Sequence, residues 1–287
     1  MLDRIRRVYH RSAHGTWQME FLVPPPMLAP FVRRIKAYAE RDTDFVRRRE
    51  LPTGRAVLLF NFGGELRIED AAGNRARFFS GSGLYSGPSR QYVVSETDGA
   101  QEGVHIELTL PGARLLLGRP LEELGDRLID PADLLGAEAL DLLGRLSEAA
   151  SQSHRLALLE RAAEKRVTFA TKRPLRDLIR AWHRLQASGG RVTIGALAKD
   201  LGCSRKHLTL RFRHEFGVSP KLLARILRFD RATRLIGAGR VASLADLAAA
   251  SGYADQAHLS REFCIFAGSA PMAFLRRRLP DEGGFLD

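Results

Sequence analysis

The chain has 287 residues, of which 45% are hydrophobic and 27% charged, with a formal net charge of +12. This length is sufficient for two domains, while its two cysteines are too few for a disulfide framework or a zinc site. No stretch reaches the roughly 18 apolar residues of a membrane span, and the first residues lack the apolar core of a signal peptide. We therefore expect a soluble, cytoplasmic protein.

The positive charge is concentrated in the last third of the chain. Residues 174–280 contain 19 Lys and Arg against 7 Asp and Glu, whereas residues 1–173 contain 26 against 23. A basic domain beside a nearly neutral one favours a polyanionic partner, and nucleic acid is favoured over a merely solubilising surface.

The first half is predicted to be rich in short strands. Residues 1–30 are weakly patterned, Pro24–Pro30 is stiff and extended, and Leu28–Tyr38 is predicted as a short helix. From residue 51 onward, short apolar segments alternate with Gly, Ser and Asp. These segments predict strands at Ala56–Phe62, at Glu65–Glu69 as its hairpin partner, and at Phe78–Phe79, Leu84–Ser86, Gln91–Val94 and Val104–Leu110. Many short strands with frequent turns favour a small β-barrel or a sandwich.

A helical arm follows the strands. After Pro111 and Gly112, leucines recur three and four residues apart, which is typical of amphipathic helices. The segments with this pattern are Ala113–Leu117, Leu121–Leu124, Asp133–Leu135, Ala137–Ala149 and His154–Ala163. The arm would pack on the strands or form a dimer surface. Residues 164–173 are highly charged, so we predict two domains, residues 1–170 and 174–280.

The second domain begins with a helix-turn-helix pattern. Pro174 suits the first turn of a helix, and Thr193 can cap a helix over Ile194–Leu201. Gly202 suits the turn that follows, and Ser204 can cap the next helix, which ends at Gly217. A helix, a three-residue turn containing glycine and a second helix make the helix-turn-helix motif.

The motif then occurs a second time. Ser219 and Pro220 begin a helix over Pro220–Gly237, about 27 Å long at 1.5 Å per residue. Beyond it, Leu259 and Phe263 repeat the spacing of Leu208 and Phe212. Gly268 and Pro271 likewise match Gly217 and Pro220 of the first copy. Within the second copy, Ser243 and Asp255 are candidate helix caps. Two such units on one rigid helix predict a protein that contacts two adjacent segments of DNA.

Residues 193–278 resemble the DNA-binding domain of the AraC/XylS family of bacterial transcription regulators. The segments that carry the resemblance are LAKDLGCSRKHLTLRFRHEFGVSP (197–220), RFDRATRLI (228–236) and DLAAASGYADQAHLSREFCIFAGSAP (246–271). The resemblance implies two helix-turn-helix units joined by a linker helix, with recognition helices in successive major-groove segments. A 27 Å linker agrees with this arrangement, since one turn of DNA is about 34 Å long.

The exposed positions of the two recognition helices are the candidate DNA contacts. By position, the base contacts in the first helix are Arg205, Lys206, Thr209 and Leu210, whereas Arg211 and Arg213 are predicted to contact phosphate. In the second helix the matching set is Gln256, Ala257, His258, Ser260 and Arg261. Arg and Lys suit guanine, Gln suits adenine, and Leu210 could contact only a thymine methyl group.

The first domain has a weaker resemblance to the cupin-like sensor half of the same regulators. The resemblance implies effector binding, dimerisation or both. An enzymatic cupin would need clustered metal ligands, and the candidates His10, His14, His105, Glu65, Glu69, Glu102 and Glu107 lack the spacing of a metal site. His105 is predicted to be a half-exposed strand residue. A methyl-acceptor repair function is excluded because no cysteine precedes Cys203.

The leading hypothesis is a sequence-specific, effector-responsive transcription regulator of the α+β class that is not an enzyme. It has no predicted cofactor or metal. Its predicted partners are double-stranded DNA, a small-molecule effector, RNA polymerase and a second copy of the chain. Association with a membrane is not predicted. One alternative is a small-molecule-binding or enzymatic cupin-like protein with an accessory DNA module. Another is an architectural protein that bends DNA with little sequence preference.

Overall fold

The computed structural model describes residues 4–44, 47–125, 127–171, 173–239, 241–279 and 284–287. It has an N-terminal domain of strands and helices and a C-terminal domain of helices. The α+β fold class and the two-domain architecture predicted from the sequence are confirmed. The predicted boundary at residues 170–174 lies between a helix that ends at Thr168 and one that begins at Arg176.

Within the part of the N-terminal domain that the structure describes, the strands form two antiparallel sheets. The strands are β1 (Ile5–Ser12), β2 (Gly15–Leu22), β3 (Val32–Arg41), β4 (Arg47–Glu50), β5 (Ala56–Asn61), β6 (Leu66–Asp70), β7 (Arg75–Phe78), β8 (Ser82–Ser86), β9 (Val93–Glu96), β10 (Gln101–Leu108) and β11 (Leu128–Ile129). The larger sheet has the order β1-β2-β3-β10-β5-β8-β11, and the smaller has the order β4-β9-β6-β7.

Strand alternation gives the larger sheet two different faces. Val104, Ile106 and Leu108 of β10 are fully buried and lie in the hydrophobic core with the helices. His105 and Glu107 alternate with them and therefore point to the other face, toward a cavity that residues of the smaller sheet also line. Leu110, which follows the strand and begins the next helix, is also fully buried in this core.

In the described residues of the N-terminal domain, four α-helices and one 3-10 helix follow β10, with β11 between the 3-10 helix and the last three α-helices. They are α1 (Leu110–Leu117), a 3-10 helix (Leu121–Glu123), α2 (Pro131–Leu135), α3 (Ala137–Ser147) and α4 (Gln152–Thr168). Thr109 caps α1, because its side chain accepts a hydrogen bond from the backbone N–H of Gly112. The helices cover the buried face of the larger sheet, as the leucine spacing predicts.

The described residues of the C-terminal domain form seven helices. They are α5 (Arg176–Ala187), α6 (Ile194–Asp200), α7 (Arg205–Phe216), α8 (Pro220–Gly237), α9 (Leu244–Ser251), α10 (Gln256–Ala267) and α11 (Pro271–Arg276). The side chains of Thr193, Ser204, Ser219, Ser243 and Asp255 each accept a backbone hydrogen bond at the start of a helix. All five predicted caps are therefore present, and α8 is the predicted linker helix.

Three predictions for the N-terminal domain are wrong. The small barrel is not closed, since the described strands form two separate hydrogen-bonded sheets. The helix predicted over Leu28–Tyr38 is instead strand β3, preceded by a turn. The proposed hairpin also fails, because β5 pairs with β10 and β8, whereas β6 pairs with β7 and β9. Two strands in residues 1–30, β1 and β2, had no clear sequence signal.

The hydrophobic core crosses the domain boundary. One cluster of buried residues extends from the larger sheet through α1 and α4 to the first helix-turn-helix unit and the start of α8, where it includes Leu208, Phe212 and Leu223. A second cluster joins the rest of α8 to the second unit and includes Phe229, Phe263 and Phe266. The first unit therefore packs on the N-terminal domain, whereas the second has a core of its own.

Candidate nucleic-acid interface and sensor cavity

Helix α7 presents its N-terminal half to solvent. Its first turn is fixed by Ser204, whose hydroxyl accepts a hydrogen bond of 3.1 Å from the backbone N–H of His207. Leu208 and Phe212 are buried at 1% and 0% exposure and orient the helix. Arg205 and Lys206 are exposed, Thr209 is half-buried, and the side chain of Leu210 is 58% exposed. The predicted base-contact residues therefore share one accessible end of the helix.

Arg211 and Arg213, which the sequence assigned to phosphate, are both in ion pairs. The guanidinium of Arg211 lies 2.7 Å from Asp177 of α5. Partial burial alone would raise the pKa of Asp177, but the hydrogen bond and charge of Arg211 lower it below its ordinary value. Arg213 lies 2.8 Å from Glu122 of the 3-10 helix, and His214 is 3.6 Å from the same carboxylate. The N-terminal domain thus contacts the C-terminal half of this recognition helix.

Helix α10 is built like α7. Asp255 accepts a hydrogen bond of 2.7 Å from the backbone N–H of His258, and Leu259 and Phe263 are fully buried. The predicted contact residues lie at its accessible end, where Gln256, Ala257 and Arg261 are exposed and His258 and Ser260 are half-buried. The imidazole of His258 packs edge-on against Tyr253, with ring centroids 5.2 Å apart.

Arginines of the linker helix hold the two units together. Arg225 forms a bidentate pair with Glu262 of α10, with its shortest distance at 2.8 Å. Arg228 donates to the carbonyl of Gly190, and Arg231 donates to the carbonyl of Ala250. These contacts fix the units on either side of α8.

The first unit docks on the N-terminal domain through a buried ion pair. Arg114 of α1 and Glu215 of α7 lie 3.1 Å apart, with side chains 10% and 5% exposed. Gly217 ends α7 with a φ of 74°, a conformation that glycine adopts without strain. A Cβ atom there would lie 3.2 Å from the carbonyl oxygen of Leu121, so the end of the recognition helix fits closely against the 3-10 helix.

A cavity of about 340 Å³ lies between the two sheets. Its walls are apolar at Met19, Leu59, Leu66, Ile68 and Leu84 and polar at Lys36, Tyr38, Glu50, Arg55, His105 and Glu107. Apolar walls with a few convergent polar groups are typical of small-molecule sites, and the volume lies within the usual range of about 300–1,000 Å³.

The polar groups of the cavity include two bases whose pKa values are lowered by burial. Burial lowers the pKa of Lys36, and Arg34 contributes to this shift. Burial also lowers the pKa of His105 well below its ordinary value, assisted by the positive charges of Lys36 and Arg34. The Nε2 atom of His105 is buried without a hydrogen-bond partner, and it lies 3.8 Å from Glu107. The predicted half-exposed histidine is thus a wall residue of the cavity.

The wall of the cavity also contacts the DNA-binding domain. Residues 48 and 50–53, which follow or belong to β4, line the cavity, and Leu51 among them packs on the core of the second unit. Gly54 lies against α8, since a Cβ atom there would come within 2.9 Å of Leu223. One segment therefore joins the cavity to the linker helix and to the second unit.

The candidate metal ligands do not converge. Among the described residues, no group of three or more His, Cys, Asp or Glu side chains could hold a metal ion. His14 lies near Asp44, and His10 stacks on Trp17. Glu65 pairs with Arg67 and Arg77, and Glu102 with Arg155. Separately, none of the helices in the described part of the chain has the length and apolar composition of a membrane span.

Comparison with known proteins identifies the C-terminal domain. Residues 197–277 match the family model described as a helix-turn-helix domain. No curated protein matches the chain.

Several solved structures have a similar arrangement. ToxT from Vibrio cholerae is 14% identical, with 84% of this chain and 97% of that chain covered and a TM-score of 0.48. An unsaturated fatty acid-bound ToxT is 12% identical, with 80% and 93% covered and a TM-score of 0.45. The C-terminal domain of AraT, a response regulator from Geobacillus stearothermophilus, is 23% identical, with 38% and 91% covered and a TM-score of 0.35. These scores are too low to support a conclusion about the whole chain.

The doubled motif and the family match together define the class of the C-terminal domain. Residues 197–277 form a helix-turn-helix domain of the AraC type, a class of domain that binds DNA. The resemblance predicted from the sequence is confirmed for residues 197–277.

Proposed function

We propose that the protein binds a specific DNA sequence through the N-terminal halves of α7 and α10. The observation that carries the proposal is that the first turn of each helix presents exposed side chains, while Arg213 and Glu262 further along are paired with residues of other elements. Both lie in a basic domain, which suits the phosphate backbone.

The proposed contacts fall into two groups. Base edges would be met by Arg205, Lys206, Thr209, Leu210, Gln256, Ala257, His258, Ser260 and Arg261, and phosphates by Arg211 and Arg213. Arg211 and Arg213 would each have to exchange a carboxylate for a phosphate, because both are paired in this structure. The first helix carries the denser charge and would supply most of the affinity.

The N-terminal domain would respond to a small molecule bound in the cavity between the sheets. The cavity has the size of a ligand site, and its buried polar groups include an unpartnered imidazole nitrogen. Among the described residues, no carboxylate pairs with Lys36, whose ammonium lies 5.4 Å above the ring of Tyr38. A ligand with an acceptor group opposite Lys36 would satisfy it. The shared wall segment would transmit occupancy to α8 and the second unit.

Binding to duplexes from the DNA flanking its own gene tests the first part of the proposal. We expect preference for one duplex over a scrambled duplex of equal length, and affinity that falls steeply with salt. Equal binding to the two duplexes would favour an architectural protein. Footprinting together with a measurement of DNA bending would then show whether the protein bends the duplex.

Thermal unfolding of the full chain with a panel of small molecules tests the second part. A ligand that binds only the folded state raises the melting temperature. We expect the shift to disappear in Lys36→Met. A shift that persists in this variant would place the ligand elsewhere. Turnover of the ligand without DNA would favour the enzymatic alternative over the non-enzymatic function proposed here.

We also propose two partners beyond DNA, RNA polymerase and a second copy of the chain. The basis for both is the resemblance to AraC/XylS regulators, which likewise suggests a cytoplasmic location. The exposed Leu140 of α3 and Phe169 after α4 are candidates for a dimer surface, with side chains 58% and 74% exposed.

A further inference from the structure

Arg49 of β4 connects the N-terminal domain to the end of the second recognition helix. Its Nη1 donates a hydrogen bond of 2.5 Å to the carbonyl of Ala267, the last residue of α10. The last carbonyls of a helix lack partners within the helix, so a guanidinium at this position supplies a bond that the helix cannot make itself. The side chain of Arg49 is only 13% exposed, which makes the contact part of the packed structure.

The surroundings of α10 leave little freedom at this contact. The guanidinium of Arg49 lies 4.7 Å from the ring centroid of Tyr92. Gly268 ends the helix with a φ of 67°. A Cβ atom at this glycine would lie 2.4 Å from Arg49 Nη1 and 2.6 Å from the Tyr92 ring. The end of α10 is therefore in close contact with two side chains of the N-terminal domain.

Arg49 is itself held from its other side. Asp287 accepts a hydrogen bond of 2.8 Å from its Nε, and the backbone N–H of Arg49 donates to the carbonyl of Phe285. Phe285 stacks on Phe274 of α11, with centroids 4.3 Å apart. Partial burial alone would raise the pKa of Asp287, but hydrogen bonds from Arg49 and Arg47 lower it, so the carboxylate stays charged. A donor fixed in this way determines where the helix end lies.

We propose that Arg49 is a positioning residue for the second recognition helix. It fixes the C-terminal end of α10 on the N-terminal domain, so that the accessible half meets its DNA segment in a preset orientation once α7 has bound. The inference rests on the proposed DNA-binding function. Once α7 is bound, the binding of α10 to its DNA segment is an intramolecular step. The effective concentration for this step is higher when α10 loses less orientational freedom on binding. Arg225 restrains the same helix earlier in its sequence, through Glu262.

The test compares two duplexes and three variants of the full chain. One duplex contains both footprinted segments, and the other contains only the segment that α7 protects. Arg49→Ala should weaken binding to the long duplex about tenfold, the loss that corresponds to one charge-assisted hydrogen bond. It should leave binding to the short duplex unchanged. Arg49→Lys retains a hydrogen-bond donor and a positive charge, so it should recover most of the lost affinity. If Arg49 acted only through the packing of its side chain, this recovery would not be expected.

Arg47→Ala is the matched control. Arg47 also pairs with Asp287 and lies on the same strand, but its other ion pair is with Glu96 rather than with α10. We expect the Arg47→Ala variant to bind both duplexes with the affinity of the wild type. The inference is overturned if Arg49→Ala binds the long duplex normally or more tightly, if it weakens both duplexes equally, or if Arg47→Ala has the same effect. A wild-type chain that does not prefer its duplex over a scrambled one would overturn the proposed function itself, and this inference with it.

Discussion

Lys206 and Arg213 lie on one helix but in different surroundings. Lys206 is exposed in the first turn of α7, whereas Arg213 is paired with Glu122 near the other end. A residue at the accessible start of a recognition helix can reach base edges, while a residue further along the helix is suited to contact the phosphate backbone of the DNA.

Replacing each by alanine should therefore have different consequences. Lys206→Ala should cost ~1–3 kcal/mol of binding free energy at the preferred sequence and relax the preference at one or two base pairs. Arg213→Ala should weaken all sequences about equally, since phosphate contacts carry no direct sequence information. Competition titrations with a set of single-substitution duplexes measure both effects. Identical profiles for the two variants would show that this division between base and phosphate contacts is incorrect.

His105 makes the stability of the N-terminal domain depend on pH. Burial and the charges of Lys36 and Arg34 lower its pKa well below the ordinary value of 6.5, so the unfolded chain takes up a proton that the folded chain does not. Stability should consequently fall as the pH decreases below about 6.5. Glu107, whose carboxylate lies 3.8 Å away, and Tyr38 also face the imidazole. The carboxylate favours the charged imidazolium and so opposes the shift, but burial and the two positive charges outweigh it and the pKa is lowered.

Urea unfolding of the full chain at a series of pH values measures this dependence. In His105→Gln the decrease between pH 7 and pH 5 should be smaller, because glutamine cannot take up the proton. His183→Gln is a suitable control, as this histidine is exposed on α5. An unchanged slope in His105→Gln would mean that other groups cause the loss of stability in this range.

At the scale of elements, the 3-10 helix limits the charge available on α7. Glu122 neutralises Arg213 and lies close to His214, so this end of the recognition helix presents less positive charge than the sequence suggests. The contact occurs because Leu121 and Gly217 place the two helices against each other.

Glu122→Gln should tighten DNA binding by up to about fivefold, the equivalent of one partly exposed ion pair. The slope of log affinity against log salt should stay about the same, because Arg213 contacts a phosphate in both proteins and the variant is only spared the cost of breaking the ion pair with Glu122. Glu123→Gln makes the same charge change at an exposed neighbour and serves as the control. If both variants gain equally, the effect is that of net charge and not of the contact with Arg213.

The elements also show which parts of the fold a sequence can predict. The caps, the turn glycines and the buried Leu208 and Phe212 were predictable, because each is determined by neighbours within one or two turns of helix. Strand β3 was not, since a register shift against β10 places both Val32 and Ile35 on the buried side. Three-residue spacing of apolar residues then imitates a helix.

Partners distant in the sequence were likewise beyond prediction. The separation of the strands into two sheets follows from pairings such as β5 with β10, which no local pattern specifies. The same holds for the contacts of Glu122 and Arg49 with the recognition helices. The candidate base-contact positions could be predicted from the repeat, but the ion pairs of Arg211 and Arg213 could not.

At the scale of the whole molecule, the two helix-turn-helix units differ in how they are coupled to the N-terminal domain. The core of the first unit is continuous with that of the N-terminal domain, whereas the second unit has a separate cluster. Arg114 and Glu215 add a buried ion pair to the first junction. Elements that share a core usually unfold together, and a separate cluster can open as a unit of its own.

Phe212→Ala and Phe263→Ala test this difference, since both side chains are fully buried at equivalent positions of the repeat. Each should cost ~3–5 kcal/mol locally through loss of packing and formation of a cavity. Native-state hydrogen exchange should show that Phe212→Ala lowers the protection of α7 and also of β10 in the larger sheet. Phe263→Ala should lower protection in α9–α11 alone. If Phe263→Ala destabilises β10 to the same extent, the whole chain unfolds as one unit and the second helix-turn-helix unit has no independent opening.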